Sequence, residues 1–154
     1  MYQNILVPLD GSELAECVLP HVESIAKGCG VKNLIFLRVA EPFHMPPAGR
    51  EGLTDEHIEK IEAQSRMNAE EYLNQLVSRV SYDGVRPKWT VISGRAADAI
   101  ADYATKNNAD LIIISTHGRS GVSRWVWGSV TDRILRSACV PVLMVRAPGC
   151  VPGI

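Results

Sequence analysis

The chain has 154 residues, a net formal charge of −1 and 46% apolar residues, the size and composition of one domain with a substantial core. The charge balance excludes the strong basic excess typical of nucleic-acid proteins. No apolar run reaches the ~18–20 residues of a membrane span, and residues Met1 to Asn4 lack the basic start of a signal peptide, so a cytoplasmic location is expected. The four cysteines, Cys17, Cys29, Cys139 and Cys150, form no CxxC pair and have no nearby histidine at zinc spacing; they read as small apolar fillers or surface thiols.

In chain order, Asn4 to Asp10 is an apolar run closed by an Asp-Gly pair, a buried strand followed by a turn. Ser12 reads as the N-cap of a first helix with apolar positions at Ala15, Val18, Leu19, Val22, Ile25 and Ala26. Pro20 inside that pattern predicts a kink, and Gly28 and Gly30 predict its stop. Asn33 to Ala40 is a second buried strand, and Glu41 to Gly52, with three prolines and two glycines, is a loop. Thr54 caps a long helix with His57 three positions on; its apolar pattern runs through Ile58, Ile61, Met67, Ala69, Tyr72, Leu73 and Leu76. Seven acids within Glu51–Glu71 indicate a solvated face.

Trp89 to Ile92 is a third strand. Arg95 to Asn107 is a helix with Ala96, Ala99, Ile100 and Tyr103 on one face, and Asp110 to Ser115 is the most apolar strand. A Gly-, Ser- and Arg-rich loop, Thr116 to Trp127, leads to a helix at Ser129–Ala138. The last strand is Val140 to Val145, with Pro141 near its start. Strands without alternation need helices on both faces, and parallel crossovers are right-handed. The alternation therefore specifies an open, doubly wound α/β sheet of five parallel strands, Rossmann-like in class. Residues 1–147 form one expected domain and Pro148–Ile154 a frayed tail.

In such sheets ligands bind beyond the carboxyl ends of the strands, where strand order reverses. Two loops there carry chemistry. In Pro8-Leu9-Asp10-Gly11-Ser12, the Asp10 carboxylate either accepts a sugar hydroxyl or a metal, or simply makes the turn. In Ser115-Thr-His-Gly118, followed by nine residues and Gly128-Ser129, the glycines let backbone amides approach a ligand closely. Ser129 is a candidate N-cap, with Asp132 in a capping-box position, and a helix N-terminus favours phosphate. Arg119 and Arg124 are candidates for charge-assisted bonds to phosphate oxygens, and His117 for polarising one. An ordinary flexible loop before a well-capped helix is the plainer reading of the same residues. There is no GxxxxGK[ST], GxGxxG, GxSxG or HExxH motif. His21, His44 and His57 read as surface groups.

Four segments together resemble the universal stress protein family: ILVPLDGSE (Ile5–Glu13), FLRV (Phe36–Val39), STHGRSGVSRWVWGSVTDRIL (Ser115–Leu135) and CVPVLMVR (Cys139–Arg146). The resemblance implies strand order 3-2-1-4-5 and an adenine nucleotide alpha hydrolase-like fold. In nucleotide-binding members the fourth loop reads Gly, two residues, Gly, nine residues, Gly and Ser or Thr. Gly118, Gly128 and Ser129 match, and Ser115 departs from the first glycine. The resemblance further implies that Asp10 holds ribose or a metal, and that Pro8, Leu9 and Val39 lie against adenine. It implies that Gly118, Gly128, Ser129 and Val130 cradle the phosphates of ATP, with Mg2+, and that Val142–Val145 pairs across a homodimer axis. No clear base that would orient water is present, Asp10 and His117 being the nearby candidates, so a regulatory ATP-binding protein with at most slow hydrolysis is expected. Two other readings are a nucleotide-free dimeric interaction module, favoured by Ser115, and an adenylating enzyme, disfavoured by the lack of its phosphate loops.

Overall fold

The computed structural model describes residues 1–43, 54–82, 84–116 and 129–147. The five strands are β1 (Asn4–Pro8), β2 (Asn33–Ala40), β3 (Lys88–Ser93), β4 (Leu111–Ser115) and β5 (Val142–Val145). They form one sheet in the order β3-β2-β1-β4-β5, every neighbouring pair parallel. The helices are α1 (Leu19–Cys29), α2 (Asp55–Arg79), α3 (Ala96–Lys106) and α4 (Ser129–Ser137). Strand order reverses between β1 and β4, as the resemblance implies.

Alternating residues along the strands feed two cores, one on each face. Ile5, Val7, Leu34, Phe36 and Ile113 pack with Val22 and Ala26 of α1 and with Ala69, Leu73 and Leu76 of α2. Leu6, Leu37, Ile112 and Ile114 pack with Ala97, Ile100 and Ala104 of α3 and Ile134 of α4. Both faces being covered explains why the strands read as unbroken apolar runs. At the amino ends, the Asp110 carboxylate accepts the amides of Gln3 (2.7 Å) and Asn4 (3.1 Å) and fastens β4 to β1.

Several local expectations change. The segment after β1 is not one kinked helix: Ala15–Val18 is a 3-10 turn, and α1 starts at Leu19 with Pro20 in its first turn. A proline lacking an N–H fits a first turn, where the amide would go unpaired anyway, so the break falls before Pro20 rather than as a kink at it. Ser12 caps no α-helix, although its Oγ accepts the Ala15 amide at 3.2 Å. Gly30, at φ +64°, ends α1; Gly28 lies within it. Thr54 and His57 do form a reciprocal capping box.

On α2, the apolar residues Ile61 and Met67 are exposed, and among the described residues the helix buries side chains only from Ala69 onward. On α3 the buried stripe is Ala97, Ile100, Ala101 and Ala104, one residue round from the expected face. Alanines lie on several sides of α3, and tertiary contact chooses among them. Among the described residues no helix is long and apolar enough to cross a membrane. Cys17, Cys29 and Cys139 are free thiols. Cys150, His44 and the tail expected at 148–154 lie outside the described residues.

Candidate functional site

A cavity of about 490 Å3 opens at the carboxyl ends of the strands, at the switch point. Pro8, Leu9 and Asp10 line it from the exit of β1, Arg38, Val39 and Glu41 from the end of β2, and Ser115 from the end of β4. Ser129, Val130 and Thr131 close it with the first turn of α4, and Ala69 and Ile100 supply apolar floor from α2 and α3. The volume lies in the ~300–1,000 Å3 range of small-molecule clefts. Its mixed lining, apolar strand ends with a few polar groups, is the usual composition of such a site.

The β1 exit turn is tightly specified. Asp10 Oδ1 accepts the Ser12 amide at 2.9 Å and the Ser12 hydroxyl at 2.6 Å. Gly11 between them has φ +85°, a conformation that costs a residue with a Cβ. The two readings of Asp10 are thus compatible: it makes the turn, and it also faces the cavity.

The apex of that turn rests on a cation. A Cβ added to Gly11 would lie 2.8 Å from Nη1 of Arg38. Arg38 is buried at 9% exposure, unusual for an arginine unless it is engaged. Its guanidinium carbon stands 5.3 Å from the centroid of the Tyr72 ring, within cation–π range. The Tyr72 hydroxyl donates to Glu16 Oε1 at 2.9 Å, and Arg79 donates to Glu16 Oε2 at 2.5 Å. Burial first, then the bond to Glu16 and its charge, push the Tyr72 phenol well above its ordinary range, so it remains a neutral donor.

Across the cleft, the Thr131 hydroxyl donates to the Ser115 carbonyl at 3.0 Å and seats the start of α4 on the end of β4. Ser115 is a strand residue without positive φ. Its Cβ therefore imposes no backbone conformation different from the strand it closes. Burial pushes the Cys17 thiol up, opposed by a hydrogen bond with Ser115, which leaves it a poor nucleophile at neutral pH. Ser129 is the first residue of α4 rather than a cap before it. The expected pairing of Ser129 with Asp132 is replaced by an Asp132–Arg136 contact at 3.1 Å, because a carboxylate on an exposed helix face finds a basic partner four residues on. At α3, Glu41 Oε1 accepts the Ala96 amide at 3.0 Å and occupies that helix N-terminus.

Pro8, Leu9, Asp10, Val39, Ser115, Ser129 and Val130, singled out from the sequence, thus converge on one cavity. His117, Gly118, Arg119, Arg124 and Gly128 lie outside the described residues, as does most of the Pro-rich loop after Phe43. Arg38, Glu41 and Thr131 were missed. Arg38 had a visible signal, a single charge inside an otherwise apolar strand run, which a buried strand tolerates only with a partner. Glu41 and Thr131 carried no comparable signal.

A doubly wound α/β protein with its cleft at the switch point is what the fold and cavity define. The family model of the universal stress protein family matches residues 1–146, and the chain belongs to that family. It is 29% identical over 150 residues to universal stress protein MJ0531 of Methanocaldococcus jannaschii, covering 96% of this chain and 84% of the relative. It is 30% identical over 152 residues to universal stress protein G of Escherichia coli O157:H7, covering 95% of this chain and all of that protein. Among solved structures, that of MJ0577, a universal stress protein of M. jannaschii, superposes with a TM-score of 0.82. It is 26% identical and covers 97% of this chain and 99% of that one.

Proposed function

We propose that this universal stress protein binds ATP in the switch-point cavity and acts as a regulatory protein, with at most slow hydrolysis. One observation carries the reading: a cleft of about 490 Å3 runs from the Asp10 turn and apolar strand ends to the first turn of α4. Leu9 and Val39 offer an apolar seat for a purine, and Asp10 offers an acceptor for ribose. The α4 terminus offers amides and a positive dipole end for phosphates. The family's nucleotide chemistry supports the same assignment: structures similar in fold are described in complex with cAMP, with AMP bound (from Arabidopsis thaliana) and in complex with dAMP (from Archaeoglobus fulgidus). His117, Gly118, Arg119 and Gly128 complete the phosphate side of the proposal from the sequence motif alone.

Magnesium fits the same wall. Among the described residues no group of three or more His, Cys, Asp or Glu side chains forms a metal cage. Magnesium bound with a nucleotide needs only one or two protein carboxylates, the rest being water and phosphate oxygens, and Asp10 lines the cavity. When bound, the ion would neutralise phosphate charge. The serine at position 115 does not weigh against binding, since its strand conformation is open to any residue.

The test is direct. Mass spectrometry of small molecules released from freshly purified protein is expected to show an adenine nucleotide. Calorimetry with ATP and magnesium is expected to give one saturable site, weakened about tenfold by Asp10→Asn. Protein that melts cooperatively yet releases no nucleotide and gives no heat would favour the nucleotide-free interaction module instead.

A further inference from the structure

We propose that Arg38 is a positioning residue that sets the sugar preference of the cavity, by bracing the β1 exit turn so that the Asp10 carboxylate faces a ribose hydroxyl. The proposal rests on the nucleotide reading above. Three observations converge on it. The guanidinium sits against Gly11, so closely that a methyl group there would lie 2.8 Å from Nη1. The turn it braces is the one in which Asp10 Oδ1 takes both the amide and the hydroxyl of Ser12, which fixes the carboxylate plane. The guanidinium is itself held from behind by the Tyr72 ring at 5.3 Å, and Tyr72 is anchored through Glu16 to Arg79.

Residues from α2 and the 3-10 turn thereby hold the first loop through Arg38. A loosened turn would leave the carboxylate present but misaimed, and a hydrogen bond misaligned by tens of degrees loses most of its strength. Sugar hydroxyls are the groups that would register this, since adenine and phosphates meet other parts of the wall.

The experiment measures equilibrium affinities of ATP, 2′-deoxyATP and 3′-deoxyATP for the native chain, Arg38→Met and Arg38→Lys. The native chain is expected to prefer ATP about tenfold over at least one deoxy form, the worth of one charge-assisted hydrogen bond. In Arg38→Met that preference is expected to fall to within about twofold of unity, with deoxynucleotide affinity nearly unchanged. Arg38→Lys keeps the charge without the planar fork and is expected to recover little of it.

A parallel loss for all three nucleotides in Arg38→Met would mean direct charge attraction or a general structural role, and would overturn the proposal. So would a native preference near unity. Should Arg38→Met not melt cooperatively, Arg38→Lys carries the test, because it removes the planar fork against Gly11 without straining the turn itself: collapse of the preference supports the proposal, and an unchanged preference overturns it. If the native chain binds none of the three, it is the nucleotide reading that fails.

Discussion

Tyr82 shows how a single group reaches the stability of the whole chain. It is 8% exposed, and its hydroxyl is the buried side-chain atom without a hydrogen-bond partner among the described residues. Burial, with a smaller contribution from the charge of Glu23, pushes its phenol from 10 up to about 12. Between these values the unfolded chain has released the proton and the folded chain has not, so the unfolded state binds fewer protons and stability falls as pH rises. Its contribution is intact below pH 10 and is lost as pH approaches 12. Tyr82→Phe removes an unsatisfied hydroxyl that costs about 1–3 kcal/mol. It is therefore expected to stabilise the protein by about 1 kcal/mol at pH 7 and to flatten the alkaline limb, as urea titrations at several pH values would read. Equal slopes in both proteins would exclude Tyr82 as the source.

At the scale of an element, α2 is two helices in energetic terms. Its last three turns bury Ala69, Leu73 and Leu76 against β2 and β3. Its outer turns are exposed, carried by the Thr54 capping box and by exposed pairs such as Lys60–Glu56 at 2.7 Å and Arg66–Glu70 at 3.0 Å. Each such pair contributes only a few tenths of a kcal/mol. Leu76→Ala is accordingly expected to cost about 2–5 kcal/mol, and Ile61→Ala no more than about 0.5 kcal/mol. Similar losses for the two, measured by denaturant unfolding, would mean that the outer half is covered in solution.

For the whole molecule, the sheet ends at β3 and β5. β5 is short and half-buried, with Val142, Leu143 and Met144 partly exposed, so its outer edge is open to another strand in the described chain. An apolar edge of this kind invites pairing across a twofold axis. We propose the homodimer on that ground, as the family resemblance also implies. Sedimentation is expected to give twice the chain mass of 16.9 kDa, and Met144→Lys to halve it while leaving a cooperative melt. A native chain that sediments as a monomer at all concentrations would exclude the β5 pairing.

Much of the fold was legible because its signals are local. β2 was readable at both ends, Asn33 and Ala40, since a strand covered on both faces needs an unbroken apolar run. The Thr54 cap was readable from residue spacing, and the two halves of the cavity wall, at Asp10 and Ser129, were readable as turn and helix-start chemistry. The break before Pro20, the exposure of Ile61 and Met67 and the face of α3 were not, because periodicity states which residues could be buried and not what lies beneath them. Arg38 is the clearest case. Its sequence neighbours mark it only as a charge in a strand; its position under Gly11 and over Tyr72 exists only once residues far apart in the chain are folded together. Local chemistry determined the elements and their order, and tertiary packing alone decided which charge is buried and what it holds in place.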